Sequence, residues 1–118
     1  MKNTIKHEID NKKLKLLGFE DERIIIFDFS IRQVIKFYDC FVVRLEPDLG
    51  KIYNENVFGI SNEGKVLWQI EPMSHAYKDS PYTGLGQEGD TAKLSNWDGT
   101  DLIIEPYSGK IIKKSYSR

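Results

Sequence analysis

Short runs in which apolar residues alternate with polar ones dominate this chain, and they predict β-strands. KLKLLGF at 13–19 and AKLSNW at 92–97 show the two-residue period of a strand with one buried face. Most of the runs are rich in Ile, Val, Phe or Tyr, which fit a pleated, half-buried surface. The predicted strands lie at 13–19, 23–29, 34–45, 57–61, 65–71, 92–97, 101–105 and 110–116.

Turn signals separate these runs at short spacing. Asn62-Glu63-Gly64, Asp98-Gly99 and Ser108-Gly109 supply residue types that tolerate a positive φ, so each is expected to join two strands into a hairpin. Strand follows strand without intervening helical patterns. We therefore predict a single mainly β domain over residues 1–118, an antiparallel meander that forms a sandwich or a half-open barrel.

The segment at 30–38 is ambiguous. Ile31, Val34, Ile35 and Tyr38 follow the spacing of a helical face, so one short helix near 30–38 is an alternative. The segment is crowded with β-branched and aromatic residues, which lose rotamer freedom in a helix. A strand from about Val34 is the favoured interpretation.

Two hairpin-like stretches share one plan. VFGISNEGKVLWQI at 57–70 and DLIIEPYSGKIIKKS at 101–115 each contain a strand, a polar turn ending in Gly-Lys, and a second strand. They resemble pieces of propeller blades of the quinoprotein type. Two hairpins cannot close a propeller, so the shared plan is interpreted as one hairpin design used twice.

Gly84 to Gly89 reads GLGQEG, a literal match to the GxGxxG pattern of dinucleotide-binding folds. That pattern needs a strand before it and a helix after it, and neither is predicted here. Glu88 would also place a negative charge among the phosphates. The stretch is therefore predicted to be a flexible, glycine-hinged loop, and no cofactor is expected.

Composition narrows the function classes further. The 118 residues carry a net charge of about −1, which gives no electrostatic reason to bind nucleic acid or an anionic membrane. The N-terminus lacks the apolar core of a signal peptide, and no stretch approaches the length of a transmembrane span. Cys40 is the single cysteine. A cytoplasmic protein is the expectation.

Catalytic and metal-binding sets are hard to assemble. Cys40 lies inside an apolar run, and His7 and His75 are the only histidines, with His75 in a long predicted loop as the better candidate. A calcium loop at 94–105 would have Leu94, which has no side-chain oxygen, at its first position. We predict no catalytic residues and no metal site, and hence not an enzyme.

One long segment suggests a binding surface. Residues 71–91 lack a clear predicted element, which often marks a binding loop, and the region from Asp79 to Glu105 has six acids against one base, Lys93. An acidic face with aromatic anchors favours a basic protein partner. A small-ligand-binding β domain that uses the 71–91 loop as its mouth is the alternative. The predicted partner-binding residues are Asp79, Glu88, Asp90, Asp98, Asp101, Tyr77, Tyr82 and Trp97.

The order NVFGISNEGKVLWQIEP, YTGL and LSNWDGTDLIIEPYSGKII resembles a group of small uncharacterised bacterial proteins. The resemblance covers roughly residues 34–116. Small bacterial chains of this kind are associated with immunity proteins of polymorphic toxin systems, which implies a protein that neutralises a cognate toxin by occlusion. The resemblance transfers no catalytic residue.

Overall fold

The structure, a computed structural model, describes residues 5–18, 22–74 and 77–116. Within these ranges the chain is all-β, with eleven strands in three antiparallel sheets and no helix. The predicted mainly β antiparallel meander is confirmed. The strands build three stacked sheets, one layer more than a two-sheet sandwich.

Each sheet is a meander in which consecutive strands pair. Sheet I contains β1 (Lys6–Asp10), β2 (Lys13–Leu17) and β3 (Arg23–Ile26). Sheet II contains β4 (Ser30–Lys36), β5 (Cys40–Glu46), β6 (Val57–Ser61) and β7 (Val66–Gln69). Sheet III contains β8 (Tyr82–Glu88), β9 (Thr91–Asn96), β10 (Thr100–Ile104) and β11 (Ile111–Tyr116).

Sheet II is the middle layer, and the sequence of β5 explains why. Strands covered on both faces are continuously apolar, whereas strands with one open face alternate. Phe41 and Val43 of β5 join an apolar cluster with sheet I, while Cys40 and Val42 join a second cluster with sheet III. By contrast β2 and β9 alternate between buried and more exposed residues, so sheets I and III each bury one face.

The alternative helix near 30–38 is wrong, because this segment is the strand β4, which begins at Ser30 and pairs with β5. Its β-branched side chains serve both clusters, with Ile31 on the sheet I side and Ile35 on the sheet III side. A strand can present residues to two layers in this way, whereas an amphipathic helix buries one stripe. The chain then turns at 37–39 into β5.

The predicted loop at 71–91 is also corrected. Tyr82–Glu88 forms β8, and GLGQEG therefore supplies most of a strand and the following turn. Tertiary hydrogen bonds overcome the poor strand propensity of its glycines. The Gln33 side-chain amide donates to Leu85 O at 3.1 Å from sheet II, and β8 pairs along its length with β9.

The repeated hairpins are β6–β7 and β10–β11, the third and fourth strands of sheets II and III. The repeat therefore reflects two equivalent sheets rather than one hairpin design alone. Trp68 of the first hairpin reaches the second, and its indole Nε1 donates to Pro106 O at 2.8 Å. The indole also lies against the backbones of Gly59 and Gly109, so it links the two sheets at their outer edge.

Candidate functional site

The meander places its connections at two ends of the stack. At one end, here named the loop end, lie the connections 47–56, 70–81 (described at 70–74 and 77–81) and 97–99. Side chains join them, because Asn54 bonds the backbone of Ser80 and Trp97 N donates to Pro81 O at 2.9 Å. At the opposite end, named the turn end, lie the turns 37–39, 62–65, 89–90 and 105–110.

Four of the predicted partner-binding residues meet at the loop end. Tyr77 and Trp97 are 59% and 64% exposed, and Asp79, two residues after Tyr77, is also exposed. Asp98 is half-buried, and its carboxylate accepts a hydrogen bond from Thr100 N at 2.9 Å, which orders the β9–β10 turn. Two aromatic side chains and two acids therefore share one end of the molecule.

The remaining predicted residues lie elsewhere. Glu88 and Asp90 are at the turn end, about 20 Å away along β8 at the usual rise per strand residue. Asp101 lies on β10 opposite Ser95, on the face of sheet III turned away from sheet II. Tyr82 is 2% exposed and packs in the core, so its side chain is not on the surface. The acids that neighbour one another in sequence thus form no single face.

Two apolar residues at the loop end were missed in the sequence. Leu49 is fully exposed and Ile52 is 52% exposed, both in the connection between β5 and β6. The signal available was the stretch Pro47-Asp48-Leu49-Gly50, because turn residues on both sides of a leucine keep its side chain from reaching a core.

Buried and half-buried polar side chains hold the loop end in place. Asn96 and Ser80 bond through their side chains, and the Asn96 amide donates to Ser80 O at 2.9 Å. Asn54 Oδ1 accepts from Ser80 N at 2.8 Å and its Nδ2 donates to Lys78 O at 2.9 Å. Residues 78–80 are therefore held by Asn54 of the connection 47–56 and by Asn96 of β9. His75 lies outside the described residues.

The loop end is acidic. Its three connections contain five acids, Asp48, Glu55, Glu71, Asp79 and Asp98, against two bases, Lys51 and Lys78. This excess, together with exposed aromatic and aliphatic side chains, is the composition that complements a basic, partly apolar protein surface.

A groove of about 370 Å³ opens at the turn end between sheets II and III. Its polar lining comes from Lys36, Asp39, Gln87, Asp90 and Glu105. The Lys36 ammonium donates to the carbonyls of Phe37 and Tyr38, and burial lowers its pKa. For Glu105, burial alone would raise the pKa, but hydrogen bonds from Ser108 and Tyr107 outweigh it and hold the pKa below its usual value.

Groups with catalytic potential are poorly placed. Cys40 is fully buried, and burial, reinforced by the neighbouring Asp39 charge, raises the pKa of its thiol to about 12. His7 packs edge-on against Phe41 at 5.3 Å between ring centroids, and burial lowers its pKa. No group of three His, Cys, Asp or Glu that could hold a metal occurs among the residues that the structure describes. In the same ranges no helix is long and apolar enough to cross a membrane.

Cys40 is therefore expected to resist thiol reagents while the protein is folded. At pH 8 its modification by an aromatic disulfide should be at least about 1,000-fold slower than in urea, because only the unfolded chain exposes the thiol. The raised pKa stabilises the folded state below pH 9, and this contribution is lost as the pH rises towards 12. Comparable labelling rates in buffer and in urea would contradict the buried position.

No curated protein is significantly similar to this chain in sequence. Among solved structures, the crystal structure of BamB from Moraxella catarrhalis matches with a TM-score of 0.62 and 14% sequence identity. The match covers 95% of this chain and 32% of the BamB chain, so this chain spans about a third of that protein. The likeness concerns the fold, in which successive antiparallel sheets stack as the blades of the BamB β-propeller do.

A family model covers almost the whole chain, from residue 4 to residue 116. Its description states no activity, ligand or partner, and it names no toxin or immunity protein. On this match the chain belongs to the family described as a domain of unknown function, DUF7957.

Proposed function

We propose that this chain is a non-enzymatic protein-binding protein whose loop end binds a basic partner. The observation that carries the proposal is the pair of exposed aromatic residues, Tyr77 and Trp97, on hydrogen-bonded connections with an excess of acids. Aromatic side chains on an ordered surface make strong binding anchors because they bury a large area at little entropic cost. Acids around them would accelerate encounter with a positive surface.

A finer proposal is that the partner is a cognate bacterial toxin that the chain neutralises by occlusion in the cytoplasm. Its support is the resemblance of the sequence to small bacterial proteins associated with immunity to polymorphic toxins. An acidic loop end suits a basic nuclease, whose own substrate is an anion. Co-expression with the protein encoded next to this chain's gene tests the role, since growth should depend on the intact chain.

Charge reversal at the loop end should weaken that binding. Asp79→Lys is expected to raise the dissociation constant at least about tenfold, mainly through slower association, and the loss should shrink at high salt. Asp79 is exposed, so the substitution should leave the unfolding midpoint unchanged.

The matched control is Asp90→Lys, an exposed acid at the turn end with the same change in net charge. Equal losses for the two variants would mean that net charge matters and the loop end does not. Unchanged binding for Asp79→Lys would show that Asp79 is not part of the binding surface.

The second candidate is a small-ligand-binding β domain. The groove at the turn end favours it, because Gln87 and Asp90 bring part of the 71–91 segment to its rim. A lining that contains Asp39, Asp90 and Glu105 suits a cationic ligand. Calorimetric titration with a polyamine such as spermidine tests this. Equal binding of the polyamine by the wild-type chain and by Asp90→Asn would argue against a site in the groove.

A further inference from the structure

Leu49 is presented to solvent by a defined turn. Lys51 N donates to Asp48 O at 2.9 Å, and Gly50 has a φ of +85°. This combination places Leu49 at the second position of a tight turn, with glycine in the third position where a positive φ is required. Its side chain is fully exposed, more so than any other large apolar residue of the described ranges.

The turn belongs to an anchored connection. The Gln69 amide donates to Glu55 O at 2.8 Å, and the Tyr53 ring packs on Phe29 at 4.9 Å between centroids. Asn54 fixes the same connection to residues 78–80. Leu49 therefore projects from a supported segment, next to the connection that carries Tyr77 and Asp79.

An exposed leucine gains free energy only when something covers it, because burial of apolar surface contributes about 25 cal/mol per Å². We propose that Leu49 is the apolar anchor of the loop end and inserts into an apolar pocket, rimmed by Lys or Arg, on the basic partner. Asp48 and Asp79 lie on the two joined connections and would face that rim. This inference rests on the proposed function and names the chemistry of the partner's site.

The charge of the loop end favours a basic protein partner over an anionic membrane and over a second copy of this chain. Five acids against two bases at the loop end would repel an anionic membrane surface. A second copy that docked its loop end on this one would bring like charges together, which opposes self-association. A partner site with an apolar pocket and a positive rim would bury the leucine and pair with the acids.

Site-specific photo-crosslinking tests the proposal in the cells that naturally produce the chain. The full chain carries p-benzoylphenylalanine at position 49, at position 97, or at position 66, where Val66 is 56% exposed on β7. The expected result is one protein captured from positions 49 and 97 but not from 66. The partner peptide joined to position 49 should be apolar and flanked by Lys or Arg.

The captured protein then serves as the probe for affinity. Leu49→Ser should weaken its binding at least about tenfold, Leu49→Met should restore most of it, and Val66→Ser should leave it unchanged. Thermal unfolding of Leu49→Ser at the wild-type temperature excludes misfolding. Two results would overturn the role of Leu49 as the anchor but leave the proposed function standing. One is capture of the partner from position 97 but not from position 49, and the other is a Leu49→Ser variant that binds the partner normally. Capture of lipid, of a second copy, or of nothing from both loop-end positions overturns both.

Discussion

Replacement of Gly109 by alanine is expected to destabilise the fold by about 3 kcal/mol, roughly three times the cost of the same change at Gly50. Both glycines have a positive φ, +75° at Gly109 and +85° at Gly50, so both variants include the strain of a left-handed alanine, about 1 kcal/mol. A Cβ on Gly109 would also lie 2.6 Å from the Trp68 indole, whereas a Cβ on Gly50 meets nothing within 4 Å. The additional cost is that of displacing the indole.

Chemical unfolding of the two variants measures this difference. Trp68 packs against sheet III and donates to Pro106 O, so its displacement would loosen the link between sheets II and III. In a double-mutant cycle, Trp68→Leu should remove most of the additional cost of Gly109→Ala, because the smaller side chain gives the new methyl group room. Equal costs at Gly109 and Gly50, or additive effects in the cycle, would show that the indole does not link the sheets.

The second large effect is expected at Asn56, whose replacement by alanine should cost about 3 kcal/mol. Asn56 is fully buried, and its side chain makes one hydrogen bond to β5 of sheet II and two to β8 of sheet III. Its Nδ2 donates to Leu45 O at 2.8 Å and to Tyr82 O at 2.9 Å, and its Oδ1 accepts from Tyr82 N at 2.9 Å. Alanine would leave these backbone groups without that partner in a site closed to water.

Asn54→Ala is the matched control. Asn54 joins the connection 47–56 to residues 78–80. It accepts one hydrogen bond and donates another, at 2.8 and 2.9 Å, but it is only half-buried. Water can replace its bonds, so a cost of about 1 kcal/mol is expected. Asn56→Asp should be at least as harmful as Asn56→Ala, because a carboxylate cannot donate to Leu45 O or Tyr82 O. Equal unfolding free energies for the Asn54 and Asn56 variants in urea would contradict the bridging role of Asn56.

Strands whose sequence alternates were predictable. Leu14 and Leu16 in β2, and Ala92 and Leu94 in β9, mark the buried face directly, and Gly64 and Gly109 mark the turns after β6 and β10. The strand β8 was not predictable in this way. Its glycines have little strand propensity, and it forms because β9 pairs with it and sheet II donates to its open edge.

The candidate surface was predictable only in part. Asp79 and Glu88 are close in sequence, and the expectation of one acidic face assumed that the segment between them is a loop. Once β8 forms, its rise carries the two acids to opposite ends of the sheet. Leu49 lies far away in sequence, and the hydrogen bonds of Asn54 join its connection to residues 78–80.

Local sequence patterns were enough to predict the all-β character, the hairpin turns at 62–64, 98–99 and 108–109, and the burial of Cys40. Alternation, turn residues and apolar runs act over a few neighbouring positions, so each can be recognised without the rest of the chain. The number of sheets, the strand at Tyr82–Glu88 and the set of residues at the loop end follow from tertiary contacts and could not be predicted locally. These features depend on which backbone edges and side chains meet across 20 or more residues, and bonds such as those of Asn54 and Asn56 exist only after the sheets have stacked.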